Sequence, residues 1–311
     1  MTQQARIEHS DKYIRNIKRF ERMFIKPVYN ALQSQITDFT KVLREEGLQR
    51  AKNQLDSIII DGNIAEIIKE IYLTIGIYSA NRTLAQIAKS VRPLRIVPAN
   101  KSVELALEFK GPGFGFNEII YQFILDYFRL YLLSKAVLPI TQTTKDRIRE
   151  ILTIGEREGW GADRMAYEID TDEMTLSRAR MIVRTETLKA MQYGRQVGQN
   201  QSIYESESEW IAANDHRTRN SHRDVDGKRV DEGKRFRVPI YKREIIIGFD
   251  FMLGPGDVNA SAGNVINCRC TMATVAKRDK QGNLILKKNN NSGISVILPE
   301  EVFQPHTIII I

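Results

Sequence analysis

Cysteine is almost missing from this chain: Cys268 and Cys270 are the only two in 311 residues. Two thiols cannot build the disulfide framework of a small secreted protein, so folding in a reducing cytoplasm is expected. One residue apart, they are read as pointing to opposite faces of a strand and therefore as unbridged, since the bridged ring would be strained. Histidine is scarce too, at four. The N-terminus has no apolar core of the kind a signal peptide needs. Nor is there a long hydrophobic run free of charge. The greasiest, Ile119 to Leu138, is broken by Asp126, Arg129 and Lys135; it is too charged for a membrane span and reads as a buried, aromatic-rich helix. The glycine-rich stretch 111–116 has neither GxGxxG spacing nor a following Lys-Ser/Thr pair, so it is read as a connector and not a phosphate loop.

What is present is globular in balance, with 42% hydrophobic and 27% charged residues. The formal charge of +8 and the pI near 9.4 favour phosphate or an acidic protein surface as a neighbour. DNA is one such partner; a merely basic soluble protein is the plainer reading.

The first two hundred residues carry helical periodicity. Ile14, Ile17, Met23 and Phe24 share a face opposite Lys18, Arg19, Glu21 and Arg22, and Pro27 predicts an end or kink near Ile25–Lys26. Further stripes cover Ile36, Phe39, Val42 and Leu43, then Ile64, Ile67, Ile68, Ile71, Tyr72 and Ile75. Pro93, Pro98 and the glycine run mark a loop region. Helix is expected again over 118–135 and 144–158, followed by a turn at Gly159 and Gly161 and a short helix with Met165, Ala166 and Ile169. Asp170, Thr171 and Asp172 form a cap cluster opening a long helix. Along it Leu176, Ala179, Val183, Thr187, Ala190 and Gly194 recur at threes and fours, the small ones predicting close approach to a neighbour.

From about residue 201 short strands are expected at Tyr204, Phe236–Ile240 and Ile245–Ile247, and a hairpin pairs 271–277 with 284–286. Turns are read at 224–227 and 254–257. Ile308–Ile311 reads as an added strand or a sticky end. The fold class is therefore α+β: a mostly helical N-terminal region, then a small α+β domain with short antiparallel strands. As domains, we expect a helical region at 1–140, a small α+β domain at 141–285, and a tail at 286–311.

The scarce reactive residues gather between Trp210 and Cys270. Cys268, Cys270 and His222 or His216 offer thiolate and imidazole, the donors zinc selects, and Asp215 or the second histidine would complete a set of four. The alternative is that both cysteines are small buried hydrophobes. Asp215, His216, His222, Asp224 and Asp226 also hold the ingredients of a metal-dependent nuclease, with Arg217, Arg219 and Arg223 on phosphate, although the spacing is no recognised one. Glu205 and Glu207 with Arg184 faintly resemble an ADP-ribosyltransferase; the plainer reading puts Glu205, Glu207 and Glu209 on the solvent face of a strand. A purely architectural reading makes Asp215, Arg217 and Arg219 ion pairs and caps, Trp210 an anchor, and Asn267 a turn residue.

Three segments in order resemble the phage Mu F-type minor head protein family. They are Arg178 to Thr187 with its Arg184-Thr185-Glu186 core; Trp210, Asp215, Arg217, Thr218, Arg219, His222, Asp226 and Gly227; and Pro255-Gly256-Asp257 leading to Asn267-Cys268-Arg269-Cys270. They span about 145–275. Relatives place a Cys-x-x-Cys where this chain has Arg219 and His222, so only His222 of that pair can ligate. The resemblance implies a non-enzymatic minor protein of a tailed-phage head, made in the host cytoplasm and built into the virion. Implied partners are the portal protein, capsid or scaffolding proteins, packaged DNA and further copies of itself, with no membrane. Trp210, Asp215, Arg217, Arg219, Gly227 and Asn267 become its structural motif, and His222, Cys268 and Cys270 its zinc ligands. The competing function is a basic metal-dependent nuclease or toxin-like effector carried in the head.

Overall fold

The computed structural model describes residues 3–91 and 118–287, apart from the side chains of residues 3 and 172–174. The connector expected at 111–116, Pro93, Pro98, the Asp172 side chain and the Ile308–Ile311 segment lie outside the described residues.

Three helices come first: α1 (Gln3–Glu46), α2 (Leu48–Ile58) and α3 (Gly62–Val91). The break between α1 and α2 is Gly47, whose φ of 82° suits glycine. Of the end or kink expected at Pro27, the end is not found: α1 runs through it to Glu46. A mid-helix proline costs about 3 kcal/mol. Against that, Ile17, Phe20, Phe24, Val28, Leu32, Ile36 and Phe39 are all buried along one face, each contributing roughly 1.5–3 kcal/mol. Packing on both sides of the proline outweighs the lost hydrogen bond.

The next run is also continuous where a gap was expected. α4 (Glu118–Tyr127) widens into π-type turns over Phe128–Val137 and passes directly into α5 (Leu138–Arg157). Tyr127, Phe128, Tyr131 and Leu132 are buried there, as the aromatic-rich reading requires. No helix among the described residues is long and apolar enough to cross a membrane. α6 (Ala162–Ile169) follows the glycine turn, and α7 (Asp172–Gln201) begins at Thr171, which caps through its backbone with no side-chain bond.

The close approach predicted for α7 is made against α3. A Cβ at Gly194 would lie 2.1 Å from the carbonyl oxygen of Gly76, and one at Gly198 would lie 2.4 Å from that of Ala80. Only glycine lets the two backbones meet, and Ser79 seals the crossing by donating to the Met191 carbonyl at 2.6 Å.

The strands are β1 (Ser206–Ile211), β2 (Arg229–Asp231), β3 (Phe236–Lys242), β4 (Ile245–Met252) and β5 (Thr271–Ala276), with one-turn helices α8 (Asn220–Arg223) and α9 (Ala262–Val265) between them. They form an antiparallel sheet ordered β2-β1-β5 and a separate β3-β4 hairpin. The expected 271–286 pairing survives only as isolated bridges, Arg278 with Leu284 and Tyr204 with Leu286. Glu209 is buried and not on a solvent face: α1 crosses the sheet, and Glu209 meets Arg6 at 2.9 Å and Arg229 at 2.8 Å. One apolar core runs from Phe20 and Tyr72 through Val183 to Trp210, Phe236 and Met272, and a second joins Phe39, Leu55, Leu152 and Ile169.

Candidate functional site

The site is assembled by short irregular segments resting on α7. Asn267 has φ of 60°, a left-handed conformation that Asn tolerates better than most residues. Its amide donates to Thr185 Oγ1 at 3.2 Å and its Oδ1 accepts from Arg184 at 2.9 Å. Arg184 is held in turn by Glu21 of α1 at 2.6 Å. Glu186, next on α7, is buried and accepts from Tyr72 at 3.1 Å and Lys189 at 2.7 Å. The Arg184-Thr185-Glu186 segment thus fixes the turn that delivers the cysteines.

Cys268 and Cys270 then face the same way, correcting the expectation of opposite faces. Residues 267–270 precede β5 and are not extended strand, and in any strand residues two apart share a face. Both thiols are free, buried and turned toward His222, whose Nδ1 lies 3.4 Å from the Cys268 sulfur and 3.3 Å from the Cys270 sulfur. α8 supplies His222, and the Trp210 ring packs edge-on to it at 5.3 Å. A hydrogen bond from Cys270, stronger than the opposing effect of burial and aided by His222, holds the Cys268 thiol well below its ordinary range. Cys270 keeps that proton and is buried, so its thiol is pushed well above.

These three side chains could hold a metal ion: their donor atoms all lie within 4.8 Å of one another. Tetrahedral zinc with ordinary bond lengths would set N···S separations at roughly 3.5 Å, close to those present. The donor chemistry fits as well, two soft sulfurs and an imidazole. Neither proposed fourth ligand joins them. Asp215 turns to Arg269, and His216 is exposed. Arg219 donates to the Ile266 carbonyl, and His222 Nε2 is buried without a hydrogen-bond partner among the described residues.

The remaining motif residues fasten loops. Asp215 accepts from Arg269 through both oxygens, from Thr218 at 3.1 Å and from the Arg217 amide at 3.0 Å. Desolvation is the largest single influence and raises its pKa, but the hydrogen bonds from Arg269, Thr218 and the Arg217 amide, with the Arg269 charge, together outweigh it and lower the pKa. The Arg217 side chain is exposed. Trp210 is fully buried, its backbone paired with Gly227 and Lys228, and Gly227 turns the chain at φ 76°. Asp226 accepts from the Ala212 amide at 2.8 Å and from Arg6 at 2.5 Å. Asp224 accepts from Tyr241 at 2.6 Å.

The acids of the nuclease reading are therefore dispersed onto separate partners, and among the described residues they form no metal-binding group with His222. The transferase trio is likewise apart: Glu205 and Glu207 pair with Lys277 and Arg229, while Arg184 is bound to Glu21 and Asn267.

Sequence reading placed Arg269 and Asp257 in the family segments without their partners, and missed Asp250, Asn264 and His9 altogether. Arg269 clamps Asp215. Asp257 folds the Pro-Gly-Asp turn by accepting from the Leu253 and Asn259 amides at 2.7 and 3.0 Å. Asp250 accepts from Ser261 and Asn264, and Asn264 accepts from Ser221. His9 of α1 bonds the Met272 carbonyl at 3.0 Å. Aspartates next to turn residues were the available signal; the distant partners left none.

Compared with known proteins, residues 146–273 match the family model described as Phage Mu protein F like protein. No curated protein and no solved structure shows a significant match. The family match covers less than half of the chain and contains Thr185, Trp210, Asp215, His222, Asn267, Cys268 and Cys270. Residues 146–273 are a domain of the Phage Mu protein F-like family, which implies a protein of phage head morphogenesis.

Proposed function

We propose that the chain is a non-enzymatic minor head protein, associated with the portal or the capsid interior and acting in head assembly or DNA delivery. The observation that carries this reading is the convergence of the three family segments on one structural knot: Thr185 bonds Asn267, and the cysteines that follow meet His222 beneath Trp210. Residues 141–285 form the assembly domain. The helical residues 1–140 supply contacts to the portal or to further copies, and the basic balance suits packaged DNA as a neighbour. His222, Cys268 and Cys270 hold a structural zinc ion, which would cross-link α8 to the segment entering β5. Trp210, Asp215, Arg217, Arg219, Gly227 and Asn267 are the motif around it.

The test is co-expression with the portal and capsid proteins of the same phage, followed by purification of heads. The chain is expected in purified heads at far fewer copies than the capsid protein, and bound to isolated portal rings. Absence from heads together with failure to bind the portal would overturn the proposal.

A further inference from the structure

A small cavity of about 30 Å³ lies where α1, α3, α7 and the start of β5 meet, lined on one side by Thr271 and Met272, which follow Cys270. That is room for about two water-sized bodies. Among the residues lining it are Tyr13, Ser79, Arg82, Gln86, Gln192 and Arg195, and no carboxylate.

Two buried donors there have no acceptor among the described residues. They are Arg82 Nη1 and Gln192 Nε2, and Gln192 itself is only 6% exposed. Arg195 is almost as buried, yet every bond it makes goes to a neutral acceptor. Its guanidinium donates to Gln192 Oε1 at 3.1 Å, Ser208 Oγ at 3.1 Å, the Leu253 carbonyl at 3.0 Å, and Gln199 Oε1. A buried guanidinium without a contacting carboxylate is costly, and burial accordingly brings Arg195 down to about 10. The same positive field reaches His9, where burial and then Arg82 lower the imidazole to about 4. Unpartnered donors would accept water equally well. Two guanidinium groups facing one space with no carboxylate in its lining favour a negative charge instead.

We propose that this cavity binds a small anion of halide size, received by Arg82 Nη1 and Gln192 Nε2 in the field of Arg195. The small inner volume suits a halide better than a hydrated tetrahedral oxyanion. The anion would tie α3 and α7 to the sheet at the seam between the helical region and the Mu F-like domain.

The test uses the full chain, melted at constant ionic strength in sodium chloride, sodium bromide and sodium gluconate, the last too large to enter. Chloride and bromide are expected to raise Tm saturably, by roughly 2–4 °C at ten times their Kd, relative to gluconate. Gln192→Glu places a carboxylate beside both guanidinium groups. It should melt in gluconate as the unaltered chain does in chloride, and ignore added halide. Arg82→Gln, at a half-exposed position, should fold and lose most of the halide increment. Crystals grown in bromide should show an anomalous peak in contact with Arg82 and Gln192. Equal Tm in halide and gluconate, or an increment retained in both variants, would overturn the proposal, as would bromide crystals with no peak in the cavity.

Discussion

Where α7 crosses α3, backbone lies against backbone: Gly194 and Gly198 leave no room for even a methyl group over Gly76 and Ala80. The stretch from Trp210 to Cys270 is built the other way. Its strands are short, and four aspartates each fold a loop by accepting backbone N–H groups, Asp215, Asp226, Asp250 and Asp257. The first region is held by shape and ordinary apolar burial. The second shares that apolar core through Trp210, Phe236 and Met272, and its loops are fastened in addition by named polar partners. The two should therefore fail differently, one to added volume and the other to loss of a single acceptor, ligand or charge state.

The largest effect is expected at the crossing. Gly194→Ala must push two backbones apart, because no flexible side chain can give way, and should cost about 4 kcal/mol or more. Denaturant melts of Gly194→Ala beside Gly62→Ala, a helical glycine with open space around it and no left-handed φ, would separate steric loss from the general effect of removing glycine.

Next comes acid. His9 is held at about 4 by burial and by Arg82, against an ordinary 6.5, so the folded state prefers it neutral. Its stabilising contribution is complete above 6.5, where neither state is protonated, and is lost as pH falls toward 4, where the unfolded chain gains a proton the folded one resists. The loss should approach about 3 kcal/mol across that window. His9→Gln keeps a donor for the Met272 carbonyl and should flatten the pH dependence between 6.5 and 4; an unchanged profile would mean that other groups carry it.

A third expectation concerns the knot itself. Cys268→Ala or His222→Ala should cost about 2–3 kcal/mol and should loosen Trp210 before the helices melt, which tryptophan fluorescence against far-UV circular dichroism can resolve. Coincident loss of both signals would erase the distinction between the two regions. The smallest effect belongs to Arg217→Ala, whose side chain is exposed: a change within about 0.5 kcal/mol is expected. A defect in head incorporation at unchanged Tm would then assign Arg217 to a partner surface.

The same contrast explains what could be read from the sequence. Periodicity exposed the stripes of α3 and the small-residue face of α7, because a helix repeats its burial every turn. It let Pro27 end α1, which it does not, since the cost of one proline is local while the packing that offsets it comes from distant elements. It placed Glu209 on a solvent face because alternation along β1 says nothing of Arg6, which arrives from the far end of the chain. The His222, Cys268 and Cys270 group was legible as composition, two cysteines and a histidine in one segment. Its geometry was not, because the left-handed Asn267 and the hold of Thr185 and Arg184 upon it set where the sulfurs point.

Our central proposal for the site is that His222, Cys268 and Cys270 form a structural metal centre within the Mu F-like domain. Elemental mass spectrometry of the full chain, purified without a metal-affinity step, tests it directly when paired with a thiol titration after denaturation. About one zinc per chain with two reduced thiols is the predicted result. Two reduced thiols and no metal would contradict it, leaving a knot held by hydrogen bonds and burial alone.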